Sequence, residues 1–243
     1  MSRLELLESI SELYDLLVFG KKKRDFIETE RSVQTSFSPK ENTYSQHPSE
    51  EEDWDKIRSE VISCIKCRLF RTRRKAVFGD GSNQTMLMVV GEGPGADEDL
   101  QGSPFVGKAG QLLTKMLQAV QIKREKIFIT NIVKCRPPEN RDPQPDEISV
   151  CSNYLKRQIA LIRPKVILTL GRIAASFFLE TKEGITKLRG KSYEKNGIII
   201  VPIFHPSALL RNEALKYPAW EDLKMLKEIL EKLGFYQNDS IEK

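Results

Sequence analysis

A chain of 243 residues, 40% hydrophobic and 30% charged, is long enough for one α/β domain of ordinary size plus an appendage. No apolar run approaches the roughly 18 residues that a membrane span requires, and the opening MSRLELLESISELYDLL sets acidic residues among its leucines, which argues against a signal peptide and for a cytoplasmic protein. Residues 1–53 hold 7 Lys/Arg against 12 Asp/Glu and residues 54–243 hold 32 against 22, so the later part is the basic one, suited to a polyanion such as nucleic acid.

Leu6, Ile10, Leu13 and Leu17 recur at helical spacing and predict a short amphipathic helix. Residues 20–53 are polar, end in an acidic run and read as a disordered linker. The boundary is therefore placed at 53/54, with a folded domain over 54–243. Within it, Thr85–Val90, Ile127–Ile132, Val166–Leu170 and Ile198–Phe204 read as strands. Leu113, Met116, Leu117 and Val120 share one helical face. So do Ile148, Cys151, Leu155, Ile159 and Ile162, with Pro145 suited to the first turn. A helical GRIAASFFLE follows the third strand, and a last helix begins near Pro218. Strands alternating with helices predict a parallel sheet covered on both faces. The unusual segments GEGPG, NIVKC, LGR and HPSALLR each lie at or after a strand's end. In open α/β sheets ligands bind at those ends, so one pocket is expected.

The four cysteines, Cys64, Cys67, Cys135 and Cys151, all fall in the basic part. Cys64 and Cys67 form C-x2-C, a spacing that lets two thiolates grip one centre, and a Pro- and Asn-rich loop lies between Cys135 and Cys151. In a reducing compartment, metal or cluster ligation is favoured over disulfides. Spacing alone leaves open a four-cysteine zinc site and a [4Fe–4S] cluster.

MVVGEGPGADEDLQGSPFVGKAGQLL over 88–113, IFITNIVKCRPPENRDPQPDEISVC over 127–151 and FHPSALLR over 204–211, with C-x2-C upstream, resemble the family-4 uracil-DNA glycosylases, the iron–sulfur branch of that superfamily. The resemblance covers about residues 56–234. It implies a three-layer α/β/α sandwich around a four-stranded parallel sheet, a [4Fe–4S] cluster on the four cysteines, and hydrolytic removal of uracil from DNA. A monomer acting on single- and double-stranded DNA is the expectation. Residues 1–53 lie outside it and are suited to a protein partner.

The resemblance also assigns roles. Asn131 reads uracil, since an amide offers both an acceptor and a donor; the plain alternative is a strand-end cap. Phe105 stacks under the base, against the alternative of a core Phe. His205 donates to uracil O2 as negative charge develops there, against that of a packed His. In the best-known branch of the superfamily the third position of GEGPG is a water-activating Asp; here it is Gly93, and family-4 members carry a small residue there. Glu92 beside it is the candidate for water or sugar contacts, and the backbone of Gly91, Glu92 and Gly93 for contacts to uracil O2. Glu98 is a candidate for crowding the C5 side of the base. Leu209 and Leu210 are apolar residues on a predicted surface loop, suited to a wedge entering the base stack. The spacing from His205 favours Leu209. Ser207 and Arg211 are candidates for phosphate contacts. KCRLFRTRRK, with six Lys/Arg over 66–75, reads equally well as a phosphate track or a solvated loop.

Three rival readings exist. Gly91, Gly93 and Ala96 fit the dinucleotide fingerprint G-x-G-x-x-G/A, but Pro94 removes an amide from the would-be phosphate loop and the following helix is expected to start too late. A non-enzymatic DNA-binding or damage-sensing module on the same fold is the main alternative; Asn131, Phe105 and His205 weigh against it. A covalently bonding relative needs a His-bearing loop, whereas PFVGKAGQLL leads straight to a helix.

Overall fold

The computed structural model describes residues 53–236. The expected helix near Leu6–Leu17 and most of the linker lie outside them. Helix α1 (Trp54–Ile62) is capped by Asp53, whose side chain accepts from the Asp55 amide, so the capping residue belongs with the folded part. Strands β1 (Asp80–Gly81) and β2 (Leu87–Gly91) follow. Then come α2 (Ala96–Gln101), α3 (Lys108–Ala119), β3 (Phe128–Asn131) and α4 (Pro145–Ile162). Next are β4 (Val166–Leu170), α5 (Gly171–Leu179), α6 (Ile185–Leu188), β5 (Tyr193–Lys195) and β6 (Ile198–Ile203). Helices α7 (Pro206–Arg211) and α8 (Lys216–Lys232) complete the order.

The sheet has six strands in the order β1-β3-β2-β4-β6-β5. Its inner four, β3, β2, β4 and β6, are parallel. The short outer strands β1 and β5 pair antiparallel with β3 and β6, and extend the expected four-stranded sheet at both edges. Two or three residues without an apolar run give no strand signal in sequence, and pairing to a preformed neighbour is what makes them strands.

Both faces of the inner strands are covered. Leu87, Val89, Ile129, Val166, Leu168, Val201 and Ile203 point into one apolar cluster with α3 and α8. Met88, Val90, Phe128, Ile167 and Ile200 point into the other, with α1, α4 and α5. Strand side chains alternate between faces, so uninterrupted Val/Ile/Leu runs are what a sheet buried on both sides requires. The result is the expected three-layer α/β/α sandwich.

From β2 the chain moves outward to β3 and then returns across β2 to β4. This reversal opens a crevice at the strands' carboxyl ends. Two local expectations are corrected. A helix starts at Ala96, immediately after GEGPG, though it spans only six residues before the left-handed Gly102 ends it. HPSALLR is a helix rather than a loop: Pro206 occupies its first turn, where no amide is needed, and the His205 side chain caps it.

Candidate active site

Gly91 ends β2 and Asn131 ends β3, and the two are paired in register. A Cβ on Gly91 would collide with Asn131 Oδ1 and with the Phe105 ring, so only glycine allows these three to meet. Asn131 is 1% exposed, and its Oδ1 is a buried acceptor without a hydrogen-bond partner. An orphaned acceptor in a buried site is costly and marks a place for a ligand donor.

Phe105 lies across this floor, its ring centroid 5.8 Å from that of His205 with a 34° tilt. Its φ of 52° is a left-handed conformation that an aromatic residue adopts only when its surroundings compel it. Glu98 supplies one restraint: its carboxylate accepts from the amides of Gly95, Val106 and Gly107. Arg124 supplies the other, donating to the carbonyls of Phe105, at 3.0 Å, and Pro104. Glu98 therefore ties the GEGPG loop to the turn carrying Phe105.

His205 stands at the end of β6. Its Nδ1 accepts from the Ser207 amide at 3.2 Å and lies 2.8 Å from the Ser207 hydroxyl. An Nδ1 that accepts leaves the proton on Nε2. Burial, and then the nearby charge of Arg211, push the imidazole pKa down to about 4, so the ring is neutral at physiological pH. Gly171, at φ +84°, lets the start of α5 approach to where a Cβ would lie 3.0 Å from His205 Cβ. Ser207, expected to hold phosphate, here orients His205.

Glu92 is half-buried in the GEGPG loop. Burial, then the charge of Asp142, raise its pKa to about 7, with Arg172 opposing. Asp142 and Arg172 form an exposed ion pair of 2.5 Å between the loop after β3 and the start of α5. Gly93 is partly exposed beside Val133 and Pro137.

The two leucines of α7 part company. Leu209 is 0% exposed and sits in the cluster between the sheet, α3 and α8, which corrects its assignment as a wedge. Leu210 is 49% exposed, and Arg211 is exposed beside it. A helix turns each successive residue by about 100°, so once HPSALLR is helical only one of two adjacent leucines can face the core.

The four cysteines line one recess, with Phe70, Arg73, Lys134 and Tyr154 among its other walls. Cys135 Sγ accepts from Arg73 at 2.9 Å and Cys151 Sγ from the Lys134 amide at 3.2 Å. Burial pushes the Cys151 thiol up to about 12 and raises Cys67 and Cys135 as well. A donor set of sulfur alone, with N–H groups aimed at two of the sulfurs, fits a thiolate-bound centre. Arg68 pairs with Asp146 at the start of α4, and Arg157 of α4 with Glu60 of α1, which fastens the C-x2-C segment to the helix bearing Cys151. Arg68 and Arg73 of the basic segment are thus spent on the protein itself.

The family model for the uracil DNA glycosylase superfamily matches residues 78–234. A type-4 uracil-DNA glycosylase of Sulfurisphaera tokodaii is 48% identical over 184 residues, 72% of this chain and 84% of that protein. One of Thermotoga maritima is 44% identical over 188 residues, 76% and 98% of the respective chains. A type-5 enzyme of Pyrobaculum aerophilum is more distant, 30% identical over 146 residues, 53% of this chain and 64% of its own.

The chain belongs to the type-4 uracil-DNA glycosylases.

Sequence reasoning missed three residues of this glycosylase's site. Arg124 carries no motif signal, because its role depends on a carbonyl twenty residues away. Arg189 donates to Asp222 and Pro218 and lies over the Phe204 ring, which braces the residue before His205. Lys134 was legible as part of NIVKC, but nothing in a sequence shows that a lysine is 1% exposed. Burial pushes its pKa down to about 7, with the nearby Cys151 and Cys135 sulfurs opposing. Among the described residues, no helix is long and apolar enough to cross a membrane.

Proposed function

We propose that the pocket floored by Gly91, Phe105 and Asn131 takes a uracil flipped out of DNA and that His205 assists its departure by hydrolysis of the N-glycosidic bond. The observation that carries this reading is the orphaned Asn131 Oδ1. It accepts the uracil N3–H, while the amide nitrogen donates to O4; cytosine presents the opposite pair on that edge. Phe105 stacks under the ring. As the bond breaks, negative charge grows on the base, and the Nε2 proton of a neutral imidazole stabilises it at O2. A neutral donor suits this step, because it gains strength as the charge appears. The backbone of Gly91 to Gly93 borders the same edge of the base. Glu92, ionised above about pH 7, positions water or shields positive charge on the sugar.

Leu210 fills the space left by the flipped nucleotide, and Arg211 meets a phosphate. Residues 53–243, with Asp53 as the cap of the first helix, form the glycosylase domain, acting as a monomer on single- and double-stranded DNA in the cytoplasm.

Cys64, Cys67, Cys135 and Cys151 hold a [4Fe–4S] cluster. Among the described residues no group of three potential ligands is close enough to hold one metal ion; the four sulfurs border one recess, and that supports a centre shared by all of them. The cluster supplies cohesion between α1, the C-x2-C segment and α4, since base hydrolysis transfers no electron.

The test is incubation of the purified holoprotein with a uracil-containing oligonucleotide, followed by alkali. Breaks at uracil in both single strands and duplex, and none in a thymine-containing control, are expected. Tight DNA binding without breaks would favour a binding module.

A further inference from the structure

The buried side-chain nitrogen of Lys134 is used by none of the steps above. Its Nζ donates to Thr130 Oγ1 at 2.6 Å, to the Asn131 carbonyl at 2.9 Å and to Gln158 Oε1 at 2.7 Å. One nitrogen thus meets three acceptors, and all three are neutral. The network closes on itself: the Thr130 hydroxyl and the Gln158 amide both donate to the Phe78 carbonyl, at 2.9 and 3.0 Å. The orientation of each group is thereby fixed.

The same residue touches the cysteine centre, because its own amide donates to Cys151 Sγ. Gln158 lies seven residues after Cys151 on α4, two turns along the same face.

We infer that Lys134 is a positioning residue that clamps the Asn131 backbone at the end of β3 and so couples the aim of the base-reading amide to the cysteine centre on α4. This rests on Asn131 reading uracil as proposed above. The clamp holds the peptide one bond from the Asn131 Cα, so a shift there swings the side chain across the base edge.

The experiment uses the full-chain holoprotein with Lys134→Met, which keeps length and removes all three donors. Iron per chain, affinity for undamaged DNA, kcat and KM on a uracil oligonucleotide, and inhibition by free uracil are measured. Iron content and undamaged-DNA affinity should match the parent. The kcat should fall by about 10- to 100-fold, and free uracil should bind about tenfold more weakly, as expected for misaimed hydrogen bonds in a buried site. In an Asn131→Ala background the same substitution should add little further loss, since it acts through Asn131.

Parent-like kcat and uracil affinity with iron retained would overturn the inference. So would an equal loss in both backgrounds, which would mean a general structural role. If Asn131→Ala alone leaves uracil affinity intact, the base-reading assignment fails instead. Should Lys134→Met emerge without iron, Gln158→Met decides. It leaves the lysine in place, cuts the side-chain link to α4, and should weaken free-uracil binding several-fold at full iron content; unchanged binding would overturn the coupling through the side chain.

Discussion

At Asn131 a short polar side chain ends an otherwise apolar strand, and its unpartnered acceptor is what the proposed function offers to a base. The other two groups proposed to handle the base come from distant parts of the chain, Phe105 from a strained turn and His205 from the end of β6. Their residue types were legible in sequence, and their likeness to known motifs indicated a shared site. Their tuning was not. That Nδ1 is occupied by Ser207 and that Glu92 is desolvated are facts of packing. His205→Ala should slow base release by about 10²–10³-fold, the usual cost of one oriented donor to a developing anion. DNA affinity should hold; joint loss of binding and turnover would make His205 structural. The pH dependence follows from two shifts of opposite sign. His205, lowered to about 4, is already neutral at pH 5 and adds no limb above it. Glu92, raised to about 7, is protonated below that value and charged above it. The rate should therefore climb through about pH 7, and Glu92→Gln should flatten the climb at a lower plateau. A climb that survives the substitution would belong to another group.

Among the elements, α7 shows how local geometry overrules analogy. As a loop, HPSALLR left both leucines free to meet DNA. As a helix begun by Pro206, it commits Leu209 to the core and presents Leu210. Leu209→Ala should cost about 2–5 kcal/mol of stability, the range for a buried leucine. It should do so without a preference between single strands and duplex. Leu210→Ala should leave stability unchanged and impair excision from duplex more than from single strands, because only the duplex must be held open. Equal losses on the two substrates would remove the wedge role. The four inner strands were legible because burial on both faces demands long runs of β-branched and apolar residues. The edges β1 and β5 were not, since their strand character is borrowed from β3 and β6.

Across the whole molecule, the cysteine centre and the base pocket share strand β3 and the loop after it. Asn131 closes the strand and Cys135 follows four residues on. That proximity was visible in NIVKC, whereas the buried Lys134 that spans it was not. The holoprotein should be brown and carry about four irons per chain. A colourless anaerobic preparation with one zinc would contradict the cluster. Removing residues 1–52, which keeps Asp53 as the cap of α1, should leave excision from a short oligonucleotide intact; its loss would give that segment a part in the site. The central claim is that uracil is recognised by the donor–acceptor pair of Asn131, and the rate of uracil release by Asn131→Asp tests it most directly. The substitution keeps size and shape and replaces the donor with a second acceptor against O4. With the fold and iron content unchanged, uracil excision should fall by about 10²-fold or more, the cost of mispairing buried polar groups. Removal of uracil at the parental rate would contradict the account.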